Sequence, residues 1–389
     1  MNFIIEGNFD RALVSSINKE DLPVSHIVVH VPGNPLGNGS IFLPKEAPSF
    51  EDFKNYTKFI KDHGIIPIAG IDSTCQGNLE AHIDQYKAIS SLFENLFDLE
   101  YDHMLVSAPN NIGMIKEMYP SVNVFLSYSQ YTTSINRARI FFDIGADSII
   151  LHPDIIRNFN ALEHFLKLKD QITKKNAAEN PSRKGYILPL NLGCNWGCIQ
   201  WYQHHNVQSH RTINSPVFSN QEAVSNVNGE FDYPLLYCWK KRIENPLYIL
   251  KSGWISPYNI QLYENLGYHD FFLVTTGFPA HKSIDIMNSY LTKEMKLNFN
   301  EFLNIPLPYN TQGTDSELQK LLIQLEPSLI KEFCENFPYR TYYPSEEEVD
   351  NYCQQILSKV QKAPIEQKNS IITQLTNKMR EMERGAIKR

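Results

Sequence analysis

The chain has 389 residues, 42% hydrophobic and 20% charged, with a formal net charge of −7. That length predicts one large domain with an appendage, or two domains, and the composition is ordinary for a soluble globular enzyme. The acidic balance argues against a dedicated nucleic-acid surface, though not against a local patch. No apolar run reaches the ~18 residues of a membrane span. Met1–Gly7 lacks the basic-then-apolar pattern of a signal peptide. A cytoplasmic protein with no membrane partner is expected, its six cysteines free or metal-bound rather than disulfide-linked.

In chain order, Phe3-Ile4-Ile5 reads as a strand and His26–Val31 as a buried one. Pro32–Gly39 is a loop by composition. Ser49 and Asp52 stand at capping-box spacing and open a helix that stops at Gly64. Ile65–Ile71 is the next strand, followed by the polar loop Asp72–Asn78 and a helix from about Leu79 to Phe97. Strands are then predicted at Met104–Ser107, Val122–Ser127, Ser148–His152 and Tyr186–Leu190, with helices at Asn110–Met118, Ser134–Ile144 and Asn158–Gln171 between them.

Arg211–Asp232 is polar and aperiodic and reads as an excursion over the mouth of the sheet. Pro234–Trp239 reads as a strand or a pinned loop. Pro257 sits at the first position of a helix that Gly267 ends, and Asp270–Val274 is the last strand. Pro306–Asn310 reads as a linker into a helical region, and Ser370–Arg389 as a solvated terminal helix. Strand and helix alternate through more than six units, which predicts an α/β fold: a (β/α)8 TIM-barrel-like domain over residues 1–295 with a helical C-terminal region over 296–389.

Asn191–His210 concentrates the chemistry. Its 20 positions hold Cys194, Cys198, His204, His205, His210, Trp196, Trp201 and Tyr202. Two thiols with three residues between them can share one metal, but two ligands do not complete a site. Trp201 stands where a radical-SAM cluster would need a third cysteine. The further ligands come from Cys75, Cys238, Cys334, Cys353 or the nearby histidines. In a barrel, functional groups collect at strand C-termini, which here carry His30, Asp72, Cys75, Ser107, Ser127, His152 and Cys194.

These elements resemble the U32 peptidase-like, or collagenase-like, family. The resemblance rests on Ser73-Thr74-Cys75, on Phe142–Asp147 with Leu151–Arg157, and on Gly193-Cys194 followed by Cys198, His205 and Ser209-His210. Trp254–Pro257 with Tyr263–Gly267 adds a later segment. Members of that family are described as peptidases, and several resemble oxygen-independent hydroxylation proteins that carry a 4Fe–4S cluster in a barrel. The resemblance implies Cys75, Cys194, Cys198 and Cys238 as cluster ligands. Where the family carries Glu-Asp, this chain has Tyr258-Asn259, and no Arg follows Gly277.

Zinc is the alternative, held by Cys194, Cys198 and two of His204, His205 and His210. His205 and His210 are read as proton-transfer or substrate-orienting groups, or as braces hydrogen-bonded to backbone. Arg157, near His152 and Asp154, could clamp a substrate carboxylate or pair with Asp154. Cys334 and Cys353 are read as core. The expected function is Fe–S-dependent redox or group-transfer chemistry, hydroxylation-like, on a small-molecule, peptide or RNA-linked substrate. The alternatives are a U32-type peptidase and a non-catalytic protein partner of a modifying enzyme. No His-Glu-x-x-His and no Gly-x-Ser-x-Gly occurs, so the peptidase alternative lacks a familiar motif.

Overall fold

The computed structural model describes residues 1–40, 48–77, 82–176, 185–214, 233–305, 321–339, 345–360 and 364–387. Eight parallel strands close into a barrel in sequence order: β1 Asn2–Glu6, β2 Val24–His30, β3 Ile66–Ile71, β4 His103–Val106, β5 Asn123–Leu126, β6 Ser148–Ile150, β7 Gly185–Pro189 and β8 Asp270–Leu273. β1 closes the ring by pairing with both β2 and β8, Ile4 lying opposite His26 and Phe272. The expected barrel is therefore present.

The strands are apolar on both faces because both are covered. One residue from each strand fills the interior: Ile4, Val28, Ile68, Leu105, Phe125, Ile150, Ile187 and Phe272. Their neighbours at alternate positions, such as Phe3, Ile5, Ile27 and Val29, pack outward under the helices. Tyr128, Leu192 and Trp201 plug the C-terminal end of the interior, and Cys194 and Cys198 pack against that plug.

Local signals hold where they were clearest. Ser49 and Asp52 form the reciprocal capping box that opens the helix Phe50–Asp62. Pro257 begins a single turn that runs into the helix Ile260–Leu266, which Gly267 ends in the left-handed conformation. Two readings change. Pro234–Trp239 is neither strand nor pinned loop but part of the helix Tyr233–Glu244. The end of the cysteine stretch, Trp201–Thr212, is also helical and takes in Arg211, the start of the predicted excursion. The rest of that excursion falls mainly on 215–232 and, like the 306–310 linker, lies outside the described residues.

The helix Ile365–Ile387 is not merely solvated. Ile371, Leu375 and Met379 pack with Leu235, Leu236, Trp239 and Ile243 of the Tyr233–Glu244 helix. Phe299, Phe302, Phe333, Phe337, Cys334 and Cys353 join the main core. Trp254 stacks on Phe333 and meets Phe299 edge-on. No helix among the described residues is long and apolar enough to cross a membrane.

Candidate metal centre

Beyond β7 the chain runs through Gly193 and Cys194, turns at Gly197 and Cys198, and enters the Trp201–Thr212 helix across the barrel mouth. Trp201, His204, His205, Gln208 and Ser209 form the buried face of that helix. The Tyr233–Glu244 helix supplies the opposing wall. Cys194, Cys198, Cys238, His204, His205, Trp201, Leu235 and Arg242 line one narrow cavity, with room for about one water-sized guest. The sulfurs of Cys198 and Cys238 are 3.9 Å apart.

The electrostatics of this cavity are unusual for a core. Within the Cys198–Cys238 pair the proton belongs to Cys238. Its hydrogen bond lowers Cys198 to about 7, while Cys238 itself is raised. Burial and the neighbouring Cys198 push Cys194 up to about 12, and Arg242 favours the thiolate of all three. Arg242 is 2% exposed. It donates from Nε to the Asn195 side chain and from Nη2 to the Gly193 carbonyl, and its Nη1 is buried without a partner. No carboxylate pairs with it among the described residues.

His205 is neutral. Burial lowers its pKa to about 3, although the hydrogen bond from Nδ1 to the Gly39 carbonyl pulls the other way. Its Nε2 is buried and unpartnered.

These side chains fit a bound metal. A tetrahedral ion at about 2.3 Å from each thiolate holds its sulfurs ~3.8 Å apart, close to the Cys198–Cys238 spacing. A ligating histidine commonly donates its other ring N–H to a backbone carbonyl, as His205 does to Gly39. Only part of the set is preformed: among the described residues no three His, Cys, Asp or Glu side chains already stand at spacings that hold an ion. Binding would therefore require Cys194 or His205 to turn toward the sulfur pair.

The other predicted residues separate into groups. Cys75 does not line this cavity; its sulfur lies 3.1 Å from Nε2 of His210, on the last turns of the same helix. His152 packs between Tyr131 and Trp201, at ring-centroid distances of 3.9 and 4.1 Å. Its Nδ1 accepts from the Asp154 backbone N–H, and burial, with His205 nearby, holds it neutral. Asp154 accepts from the Tyr131 hydroxyl and the Gly197 N–H rather than from Arg157.

Arg157 is 2% exposed and serves neither predicted role. Its guanidinium donates to the Leu250 and Trp254 carbonyls under the rings of Trp254, Phe333 and Phe337. It has no open side for a substrate carboxylate, and it fastens the β6 loop to the segment before β8. Cys334 and Cys353 are buried as expected.

A second polar group inside the mouth was only half read. His30 lies 3.6 Å from Glu6 on one side and 3.6 Å from Asp72 on the other, all three buried. Ser40 and Thr276 donate to Glu6, and Ser127 and the Gly39 N–H donate to Asp72. Burial would lower the His30 pKa, but the neighbouring Glu6 and Asp72 carboxylates raise it overall. Gly70 makes room for the ring: a Cβ there would lie 2.6 Å from His30 Nδ1.

Glu6 and Arg242 were missed. Glu6 is the last residue of β1, and Arg242 stands four residues after Cys238, so strand-end position and helical spacing pointed to them.

No family model matches the chain. A protein of Methanocaldococcus jannaschii named as an uncharacterized protease, MJ1657, is 26% identical over 310 residues, spanning 77% of this chain and 84% of the relative. Among solved structures, the U32 peptidase Mk0906 aligns with a TM-score of 0.48 and 20% identity, over 72% of this chain and 94% of that one. N-acetylneuraminate lyase from Mycoplasma synoviae aligns with a TM-score of 0.33 and 11% identity, over 92% and 96%. The sequence match to the Methanocaldococcus jannaschii protein runs along most of both chains, and this chain carries the Gly193-Cys194, Cys198, His205 and Ser209-His210 pattern on which its resemblance to the U32 peptidase-like family rests.

Proposed function

We propose that this barrel carries a thiolate-bound metal centre, held by Cys194, Cys198 and Cys238, and uses it for redox or group-transfer modification of a small organic or peptide substrate. The observation that carries the reading is Arg242, a buried guanidinium with two neutral acceptors, no carboxylate among the described residues, and three thiols around it. A buried cation without a counter-charge costs several kcal/mol. Cys198, lowered to about 7, supplies that charge only in part while Cys194 and Cys238 stay protonated, whereas metal-bound thiolates would supply it in full.

A 4Fe–4S cluster is the form the family resemblance implies; it would need the narrow cavity to widen and the Cys198 and Cys238 sulfurs to part, and when bound it would supply electron transfer or an open coordination position. The chain's own residues then have defined tasks. Cys194, Cys198 and Cys238 would hold the metal, with the neutral His205 as the fourth donor through its buried Nε2. Arg242 offsets the thiolate charge and, through Gly193 and Asn195, fixes the loop that carries Cys194. Trp201 and Leu235 keep water from the sulfurs.

A zinc ion is the second reading, favoured by the 3.9 Å sulfur separation and by the orphaned Nε2 of His205. Proteolysis, the activity in the relative's name, would instead appear as casein cleavage that survives Cys194→Ala. A non-catalytic partner role predicts a loaded centre in an isolated chain that modifies no substrate.

The test is anaerobic purification, with a visible spectrum and iron, sulfide and zinc analysis of the wild type and of Cys238→Ser. Iron and sulfide in equal amounts, with broad visible absorbance that Cys238→Ser abolishes, are expected. Stoichiometric zinc in a colourless protein selects the second reading. Neither metal in a folded wild type overturns both.

A further inference from the structure

Outside the cavity with its three sulfurs, a thiol and an imidazole meet on the mouth. Cys75 lies four residues past the end of β3, in the loop Asp72–Gly77, and His210 lies on the last turns of the Trp201–Thr212 helix. Their Sγ–Nε2 distance is 3.1 Å across 135 residues of sequence. Both side chains are half-buried, whereas Cys238, Cys334 and Cys353 are buried.

The pair is held rather than met by chance. One residue before each partner, the Thr74 backbone N–H donates to Ser209 Oγ at 3.0 Å, and the Thr74 hydroxyl donates to Asn206 Oδ1 at 2.6 Å. Ser209 Oγ is tied in turn to the His205 carbonyl, and the Ser73 hydroxyl to the Cys75 carbonyl. The loop bearing the thiol is thus stapled to the helix bearing the imidazole on the side next to both reactive atoms. A thiol within hydrogen-bond reach of an imidazole, on a rigid and partly open rim, is the arrangement that activates a cysteine nucleophile.

We propose that Cys75 and His210 form a nucleophile–base pair that accepts an acyl group from an activated ester or thioester, at a site separate from the three-cysteine cavity. His210 Nε2 takes the thiol proton as Cys75 Sγ bonds to the carbonyl carbon. The carbonyl electron pair moves to oxygen and returns as the bond to the leaving oxygen or sulfur breaks. His210 passes its proton to that leaving atom, so an S-acyl cysteine and a free alcohol or thiol result. Water, deprotonated by His210, then attacks the thioester, releasing the acid and restoring the thiol. No oxidant, reductant or metal enters, so the pair is testable whether or not the metal-centre reading holds.

The experiment is iodoacetamide labelling of the native full-length protein at pH 7, with peptide mapping to follow each cysteine, together with p-nitrophenyl acetate as the acyl probe. Cys75 should react at least ~10-fold faster than an ordinary free cysteine, and His210→Gln should remove that gain. Nitrophenolate should appear as a stoichiometric burst, with the acetyl group mapped to Cys75. Should His210→Gln fail to fold, the wild-type labelling map and burst still decide the question. The proposal is overturned by labelling of Cys75 as slow as that of Cys334 and Cys353, by a rate indifferent to His210→Gln, by a missing burst, or by reactivity that appears only after a chelator strips metal.

Discussion

Two histidines at the mouth are kept uncharged by their surroundings, and their protons therefore report on folding. Burial lowers His205 to about 3 and moves His152 in the same direction. An unfolded histidine titrates near ~6.5. The folded value is the lower one, so the contribution is complete above ~6.5 and is lost as pH falls toward the folded value, at about 1.4 kcal/mol per pH unit for each residue. Asp154 opposes this slope. Burial raises it to about 6, so its contribution is present at low pH and is lost as pH rises through that value. The wild-type profile mixes these terms, but the difference from His205→Asn isolates one of them. Asparagine can still offer an N–H to the Gly39 carbonyl and does not titrate. Urea unfolding at pH 7.5 and pH 5 should show the variant losing less stability on acidification, by about 2 kcal/mol. Equal losses in both proteins would mean that His205 is not held neutral.

At the scale of the element, the site depends on close backbone contacts. Gly253, between the segment bearing Lys251 and β8, touches the β6 loop so closely that a Cβ would fall 1.7 Å from the Pro153 carbonyl oxygen. That oxygen is backbone and also accepts the Ile156 N–H, so it cannot swing aside as a side chain could. Gly253→Ala should destabilise the fold by about 2–3 kcal/mol, as over-packing does, read as a lowered midpoint of chemical unfolding. An unchanged midpoint would show that the two segments can separate without cost. The same scale explains what the sequence could reveal. The strands were legible because their inner and outer residues are both apolar. The Trp201–Thr212 helix was not, because its buried positions keep the helical period in polar letters: His204, His205, Gln208 and Ser209 follow Trp201. Hydrophobic periodicity is blind to a face that is buried for chemistry. Tyr233–Glu244 was misread for the opposite reason. A six-residue window from Pro234 to Trp239 is apolar throughout, and only the longer span shows Leu235, Cys238, Trp239 and Arg242 recurring at helical spacing. The sulfur pair was reachable through a family resemblance. The arginine among the thiols was not, because its role exists only once two distant segments face each other.

For the whole molecule, the C-terminal region acts on the barrel mouth through one helix. The helix bearing Cys238 and Arg242 packs through Leu235, Leu236, Trp239 and Ile243 on Ile371, Leu375 and Met379 of the Ile365–Ile387 helix. Leu375 is 5% exposed and packs in the cluster that holds Trp239 and Ile243, the residues that follow Cys238 and Arg242 in the chain. Placing an unpaired carboxylate there costs several kcal/mol, which releasing the terminal helix would relieve. The barrel should survive, since its interior is filled by residues of its own strands. The Tyr233–Glu244 helix would then expose Leu236 and Trp239 and lose the support that fixes Cys238 opposite Cys198. Leu375→Asp should therefore keep the circular dichroism of an α/β barrel while metal content falls several-fold and Cys238 becomes open to alkylation. Leu375→Met, which conserves volume and polarity, should change neither. Full metal occupancy in Leu375→Asp, with the terminal helix shown by limited proteolysis to be released, would mean that the mouth holds its centre without help from the C-terminal region.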